Sequence, residues 1–249
     1  MTHSIQERWD IFVEKITNRQ TELLDAAANS LPKLLVDSEY DYRAITRAWH
    51  AMHTQIETLE TKVEDTFDAV VFMDDSIASA VQDKLAIQTD IVRANLRAKL
   101  LTAEAVIFGN ISEMYFSFVI KKELETKHSC KQCSASIQIQ TDLFRAQYIS
   151  CTFCQTTNTI TPDTRFIIAG LEPTDHKARY QLLDLYTTYA KQEAHTLYQT
   201  KQAPPTNEFK KTYTTYYTKW HEKRALINSE LADILEEDIE KTLGLFTAN

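Results

Sequence analysis

Apolar residues recur along most of this chain at steps of three and four, the period of an amphipathic helix. The first stripe is Ile5, Trp9, Phe12, Ile16, Leu23 and Ala27. Ser4 opens it with Glu7 three residues on, the spacing of a capping box. Asn29-Ser30-Leu31-Pro32 predicts its end, since proline inside a helix removes a hydrogen bond and clashes with the preceding turn. A second helix is predicted from Asp37-Ser38. Its Tyr42, Ile45, Trp49, Met52, Ile56, Leu59 and Val63 alternate steps of three and four over three heptads, the seam of a coiled-coil-like pairing open to self-association. The step then becomes four to Phe67 and three to Val70, so the packing face should shift there. Met73-Asp74-Asp75-Ser76 reads as a turn, with Asp75 or Ser76 capping the next helix.

The third helical stretch runs from about residue 77 to about residue 127 and has two apolar faces. One carries Leu85, Val92, Leu96, Ala103, Ile107, Met114 and Phe118; the other carries Ile77, Ile91, Ala98, Leu101, Phe108, Tyr115 and Val119. Such a helix has neighbours on more than one side. Gly109-Asn110 predicts a kink or break in it. Between residues 136 and 168 the period changes to two, and 136–140, 146–150 and 157–162 read as three short strands. Helix resumes after Pro173-Thr174, with Leu183, Tyr186, Ala190, Ala194 and Leu197 on one face. It should stop at Ala203-Pro204-Pro205, and Thr206 should cap a further helix carrying Tyr213, Tyr216, Tyr217 and Trp220. The chain then turns acidic and amphipathic, with Leu231, Ile234, Leu235, Ile239 and Leu243 against Glu230, Asp233, Glu236, Glu237, Asp238 and Glu240. The expected fold is mainly α: a bundle of long helices with a small three-stranded β insertion. Helical residues 1–127 and 169–249 would flank an insertion at 128–168.

Composition removes whole classes of enzyme. The chain has only three glycines, Gly109, Gly170 and Gly244, so no dinucleotide-binding fingerprint, phosphate-binding loop or nucleophile elbow can be written in it. Net charge is −8, without the basic footprint that phosphate backbones attract. The best local exception interleaves the tyrosine cluster with Lys210, Lys211, Lys219, Lys223 and Arg224, although its helical spacing favours a packing face. Lys121, Lys122, Lys127 and Lys131 form a smaller basic group. The opening residues have no apolar leader, and Glu104, Asn110 and Glu113 interrupt the most apolar window, so a buried core helix is expected rather than a membrane span. A cytoplasmic setting with reduced thiols is expected.

All four cysteines lie within 25 residues, as Cys130-Lys131-Gln132-Cys133 and Cys151-Thr152-Phe153-Cys154. Two C-x-x-C turns at this spacing are a strong zinc signal, because each offers two thiolates to one tetrahedron. Four thiolates leave no coordination position open for chemistry, so the ion would be structural; an iron site uses the same ligands. His128, two residues before Cys130, could stand in for a cysteine, but four are present and a surface position is expected. The layout resembles the zinc-ribbon family over about residues 129–162. Tyr148 to Ile160 matches the strand, knuckle and return strand of a ribbon's second half, with Ser134 and Gln155 where that family often has glycine.

Two other constellations carry chemistry-bearing side chains. Glu125-Thr126-Lys127-His128 is the single Glu-x-x-His in the chain, where a di-iron bundle needs two. His50, His53 and Glu57 share a helix face, enough for a second metal or an acid–base pair, or simply polar flanks of the Trp49/Met52 seam. Asp74-Asp75 and Asp65/Asp68 read as caps and solvated surface. The expected function is therefore a non-enzymatic helical scaffold or protein-interaction protein with a structural Zn2+ on Cys130, Cys133, Cys151 and Cys154, acting through a protein partner or self-association and not through a membrane. The ribbon resemblance also implies a nucleic-acid-associated factor, since ribbons recur in transcription and translation proteins. An enzyme working at His50, His53 and Glu57 is the third reading.

Overall fold

The computed structural model describes residues 4–199 and 205–244. Helix α1 spans Ile5–Asp37 and opens with the expected capping box: Glu7 N–H donates to Ser4 Oγ at 3.2 Å and Ser4 N–H to the Glu7 carboxylate at 2.7 Å. It does not stop at Asn29–Pro32 but carries Pro32 inside it. Interior proline costs about 3 kcal/mol. Leu31 and Leu35 are both buried around it, at about 1.5–3 kcal/mol each, which offsets that cost. The helix ends where Glu39 and Tyr40 turn left-handed, at φ 54° and 63°. The Tyr40 ring stacks on Phe118 at 3.7 Å, and Arg165 donates to the Glu39 carbonyl, fixing this turn from outside.

Helix α2, Tyr42–Phe67, therefore starts later than the Asp37-Ser38 signal, capped by Asp41, which accepts from Arg43 N–H at 3.0 Å. Tyr42, Ile45, Trp49, Ile56 and Val63 of its seam are buried, inside clusters shared with α1 and the next helix. The seam is thus occupied within the chain. The packing face does shift after Phe67, by a device the spacing did not show. Asp68–Phe72 form one π-helical turn, which brings Val71 into the core and leaves Val70 exposed. Asp74 closes the turn after it by accepting from Ser76 N–H and Oγ–H. Neither Asp75 nor Ser76 caps the next helix, whose N-cap is Ala78. Gln82 in its first turn donates instead to the Val71 carbonyl at 3.0 Å.

Helix α3, Ser79–Glu125, has 47 residues and is about 70 Å long at 1.5 Å per residue. It runs unbroken through Gly109-Asn110. The glycine is there for a neighbour: a β-carbon on Gly109 would lie 2.3 Å from Cγ of Tyr180. α1 and α2 cover one side of α3; α5 (Glu172–Tyr180) and α6 (Leu183–Gln199) cover another. α3 is long and apolar enough to cross a membrane by length and composition, and half of its most apolar window is buried by these neighbours. One polar node joins α2, α3 and α5 inside the core. Burial, then the nearby Arg179, pushes His176 down to about 3, and its Nδ1 shares a hydrogen bond with Tyr42 Oη at 2.7 Å, with Ser112 Oγ 3.2 Å from the same hydroxyl.

Helix α4, Thr164–Ala169, capped by Asp163, begins inside the expected insertion just after its last strand, so helix resumes before Pro173. Ala203 and Pro204, the expected stop after α6, lie outside the described residues. Thr206 does cap α7, Asn207–Ile227. The tyrosines of α7 pack inward: Tyr213 and Tyr216 are buried, and Tyr189 of α6 stacks on Tyr216 at 5.0 Å. Tyr213 and Tyr216 thus belong to a core with Tyr186 and Tyr189, against which Tyr217 and Trp220 pack half-buried. A 3-10 turn at Ser229–Leu231 leads to α8, Leu235–Gly244, which packs on α7.

The β insertion has four short strands in two antiparallel pairs, not three in one sheet. β1 (His128–Ser129) pairs with β2 (Ser136–Ile137), and β3 (Gln147–Ser150) with β4 (Thr157–Ile160). Each hairpin is closed by one C-x-x-C turn, so the cysteines divide the sheet in two.

Gly109→Ala should destabilise the protein by about 1–3 kcal/mol through overpacking, although alanine is favoured over glycine in a helix by about 1 kcal/mol. Urea unfolding measures it. In the Tyr180→Ala background the same change should cost nothing or stabilise.

Candidate metal centre

The two knuckles repeat one backbone pattern. Cys130 N–H donates to the Ala135 carbonyl at 2.8 Å and Ser134 N–H to the Cys130 carbonyl at 2.9 Å. Cys151 N–H donates to Thr156 at 2.9 Å and Gln155 N–H to Cys151 at 3.0 Å. Each turn needs a left-handed residue one place after its second cysteine, and Ser134 (φ 60°) and Gln155 (φ 61°) supply it. These are the positions where glycine is often found in ribbons. A side chain there costs roughly 1–2 kcal/mol, so something must hold the turns closed.

The cysteines converge. Their four Sγ atoms lie within 4.8 Å of one another, with Cys130 to Cys154 and Cys133 to Cys151 each at 3.5 Å. A tetrahedron with metal–sulfur bonds of about 2.3 Å has sulfur–sulfur edges of roughly 3.8 Å, whereas a disulfide needs about 2.05 Å. The spacing suits a shared ion. Cys130 and Cys151 are buried and Cys133 is exposed. Backbone N–H groups of Cys133 and Gln132 pull the Cys130 thiol down to about 6. Thr156, by side chain and backbone, lowers Cys154. At Cys133 the backbone N–H of Ala135 favours the thiolate, but the crowding sulfurs of Cys154, Cys151 and Cys130 prevail and push it up to about 12. Four thiols so close cannot all ionise beside one another unless a cation sits among them. The cluster could hold a metal ion on all four.

Asn158 is the supporting residue that sequence reasoning missed. Buried on β4, it accepts from Lys131 N–H at 2.9 Å and approaches Cys130 Sγ with its amide nitrogen at 3.6 Å, linking one hairpin to the other's knuckle. Such outer partners orient metal ligands. Its signal was a polar residue on the inward phase of a short strand.

His128 is neither a surface residue nor part of the cysteine cluster. It is half-buried and its Nε2 meets Glu123 Oε1 at 3.1 Å. Glu123, buried in the last turn of α3, also faces the Asp163 N–H at 3.5 Å, and Lys122 pairs with Asp163 at 3.0 Å. One carboxylate thus touches both ends of the insertion. Farther out, Phe144 packs between Phe116 and Phe166, and the Asp142 carbonyl accepts from Ser229. Of the lysines at this end, Lys121 pairs weakly with Glu125 at 3.9 Å.

No protein-family model, curated protein or solved structure matches the chain. The site must be judged on its own geometry. Of the other candidate trio, the structure brings two members together: His53 Nδ1 lies 3.3 Å from Glu57, whose other oxygen accepts from Arg97 at 2.9 Å, while His50 is exposed. Glu57 is thereby tied into an ion pair between α2 and α3.

Partial burial alone would raise Asp163, but hydrogen bonds from Arg165 and Lys122 hold it down at about 2. A carboxyl lowered from its unfolded value of about 3.9 adds stability that is complete above that value and disappears as pH falls through 2. Asp163→Asn should therefore cost stability at pH 6 and progressively less between pH 4 and pH 2, read by urea titrations across that range.

Proposed function

We propose that this protein is a non-enzymatic helical scaffold whose tetracysteine cluster takes one structural zinc ion, fixing a β module as a protein-interaction surface. The observation that carries the reading is the coupling of a closed donor set to exposed aromatics. Four thiolates saturate a tetrahedral ion, leaving no place for substrate or water. On the same module Phe153, between the two ligands of its knuckle, is 79% exposed, and Tyr148 on β3 is 75% exposed. Large rings held rigidly in water are the usual anchors of protein interfaces, and an ion that fixes their backbone reduces the ordering cost of binding. Zinc is the ion that two C-x-x-C turns at this spacing most commonly take. Reduced thiols fit a cytoplasmic setting.

Elemental analysis of the purified protein should find one zinc per chain, and Cys133→Ser should abolish it. Acidification should release the ion, because protons compete for the thiolates. A protein without metal would refute the reading at its root. The Tyr148→Ala/Phe153→Ala pair should keep the zinc and the melting temperature yet lose the partner that the wild type captures by affinity purification. Retention of that partner would move the interaction surface elsewhere.

A further inference from the structure

α1 and α6 flank α3 without closing over it, and between them runs a groove of about 550 Å³, far from the cysteine module in the sequence and lined by none of its residues. The groove exists because the side chains facing it are short. Ala28 of α1 and Ala98, Thr102 and Ala103 of α3 leave the space open above Leu24 and Ile107. Its volume lies in the range of small-molecule sites, which are mostly apolar with a few placed polar groups.

The polar groups here have a sign. Lys99 of α3 and Lys191 of α6 line the groove with a single carboxylate, Asp25, on a chain of net charge −8. Lys99 donates to Thr21 Oγ1 at 2.5 Å, and among the described residues neither lysine has a carboxylate within 4.0 Å. An apolar trough of small-ligand size, bordered by two cations without acidic partners among the described residues, complements a molecule with a long apolar body and one negative end.

We propose that this groove binds a single-chain carboxylate of the fatty-acid class, its chain lying along the α3 floor and its head group at Lys99 and Lys191. A partner helix would need a longer open face and a row of anchors. A row of anchors is not what two lysines beside a 550 Å³ recess provide.

Isothermal titration of the full chain with dodecanoate, below its micelle concentration, tests this. The expected result is saturable one-to-one binding, weakened about fourfold per methylene removed in decanoate, and at least tenfold weaker for dodecyltrimethylammonium. Thr102→Trp, which fills the groove, and Lys191→Glu, at an exposed position, should each weaken dodecanoate at least tenfold with circular dichroism unchanged. Should Thr102→Trp misfold, Lys191→Glu decides alone. Absence of saturation, equal affinity for the cationic amphiphile, or indifference to Lys191→Glu would overturn the proposal. So would a dimer in sedimentation velocity that either variant dissociates, which would assign the groove to a second copy.

Discussion

α3 presents more apolar side chain than any single neighbour can cover, and the rest of the chain is arranged around that excess. Leu100, Ile107, Phe108, Ile111 and Tyr115 are all buried, on more than one side of the helix. Each such burial contributes about 1.5–3 kcal/mol, against about 0–1 for an exposed ion pair such as Arg19–Glu22. The hairpin of α1 and α2 therefore lies along one flank and the α5–α6 return along another. Pairs such as Arg93–Glu64 and Arg97–Glu57 adjust register between helices that apolar contact already holds together.

Where α3 ends, the controlling interaction changes from apolar to polar. A buried carboxylate is costly unless its oxygens are met. Glu123 meets His128 with one and the backbone of Asp163 with the other, the two points where the chain leaves for the β insertion and returns from it. The insertion is thus seated by a polar clamp at its base and by Phe144 at its side, while the cysteine cluster organises its far end.

Much of this was legible from spacing. The seam of α2 was readable because Tyr42, Ile45, Trp49, Ile56 and Val63 follow one period and the core obeys it, and the cysteine pairs because two C-x-x-C turns are the local spacing that lets four thiols converge. Failures came where distant parts of the chain override a local rule. Pro32 signals a stop, yet the burial of Leu31 and Leu35 carries the helix past it. Gly109 signals a break, yet it serves a ring 71 residues away, from Gly109 to Tyr180. The π turn at Asp68–Phe72 is a one-residue adjustment without a composition of its own. His128 with Glu123, and Asn158 with Cys130, are pairings whose geometry exists only after folding. The fold class was therefore readable, whereas the supports of the site were not.

Two of the three glycines share a further property. Gly109 lies under the Tyr180 ring, and a β-carbon on Gly170 would lie 2.6 Å from Cβ of Phe144. Long helices apolar on two sides could slide past one another, since each shift exchanges one set of apolar contacts for another. A flat ring over the one position of α3 lacking a side chain removes that freedom: moved by about one turn along the same face, Tyr180 would meet the side chain of Ala105 or Glu113 instead. In a chain so poor in glycine, these two act as alignment pins. The first sets the axial position of the return helices on α3, and the second sets where the β insertion is seated against them.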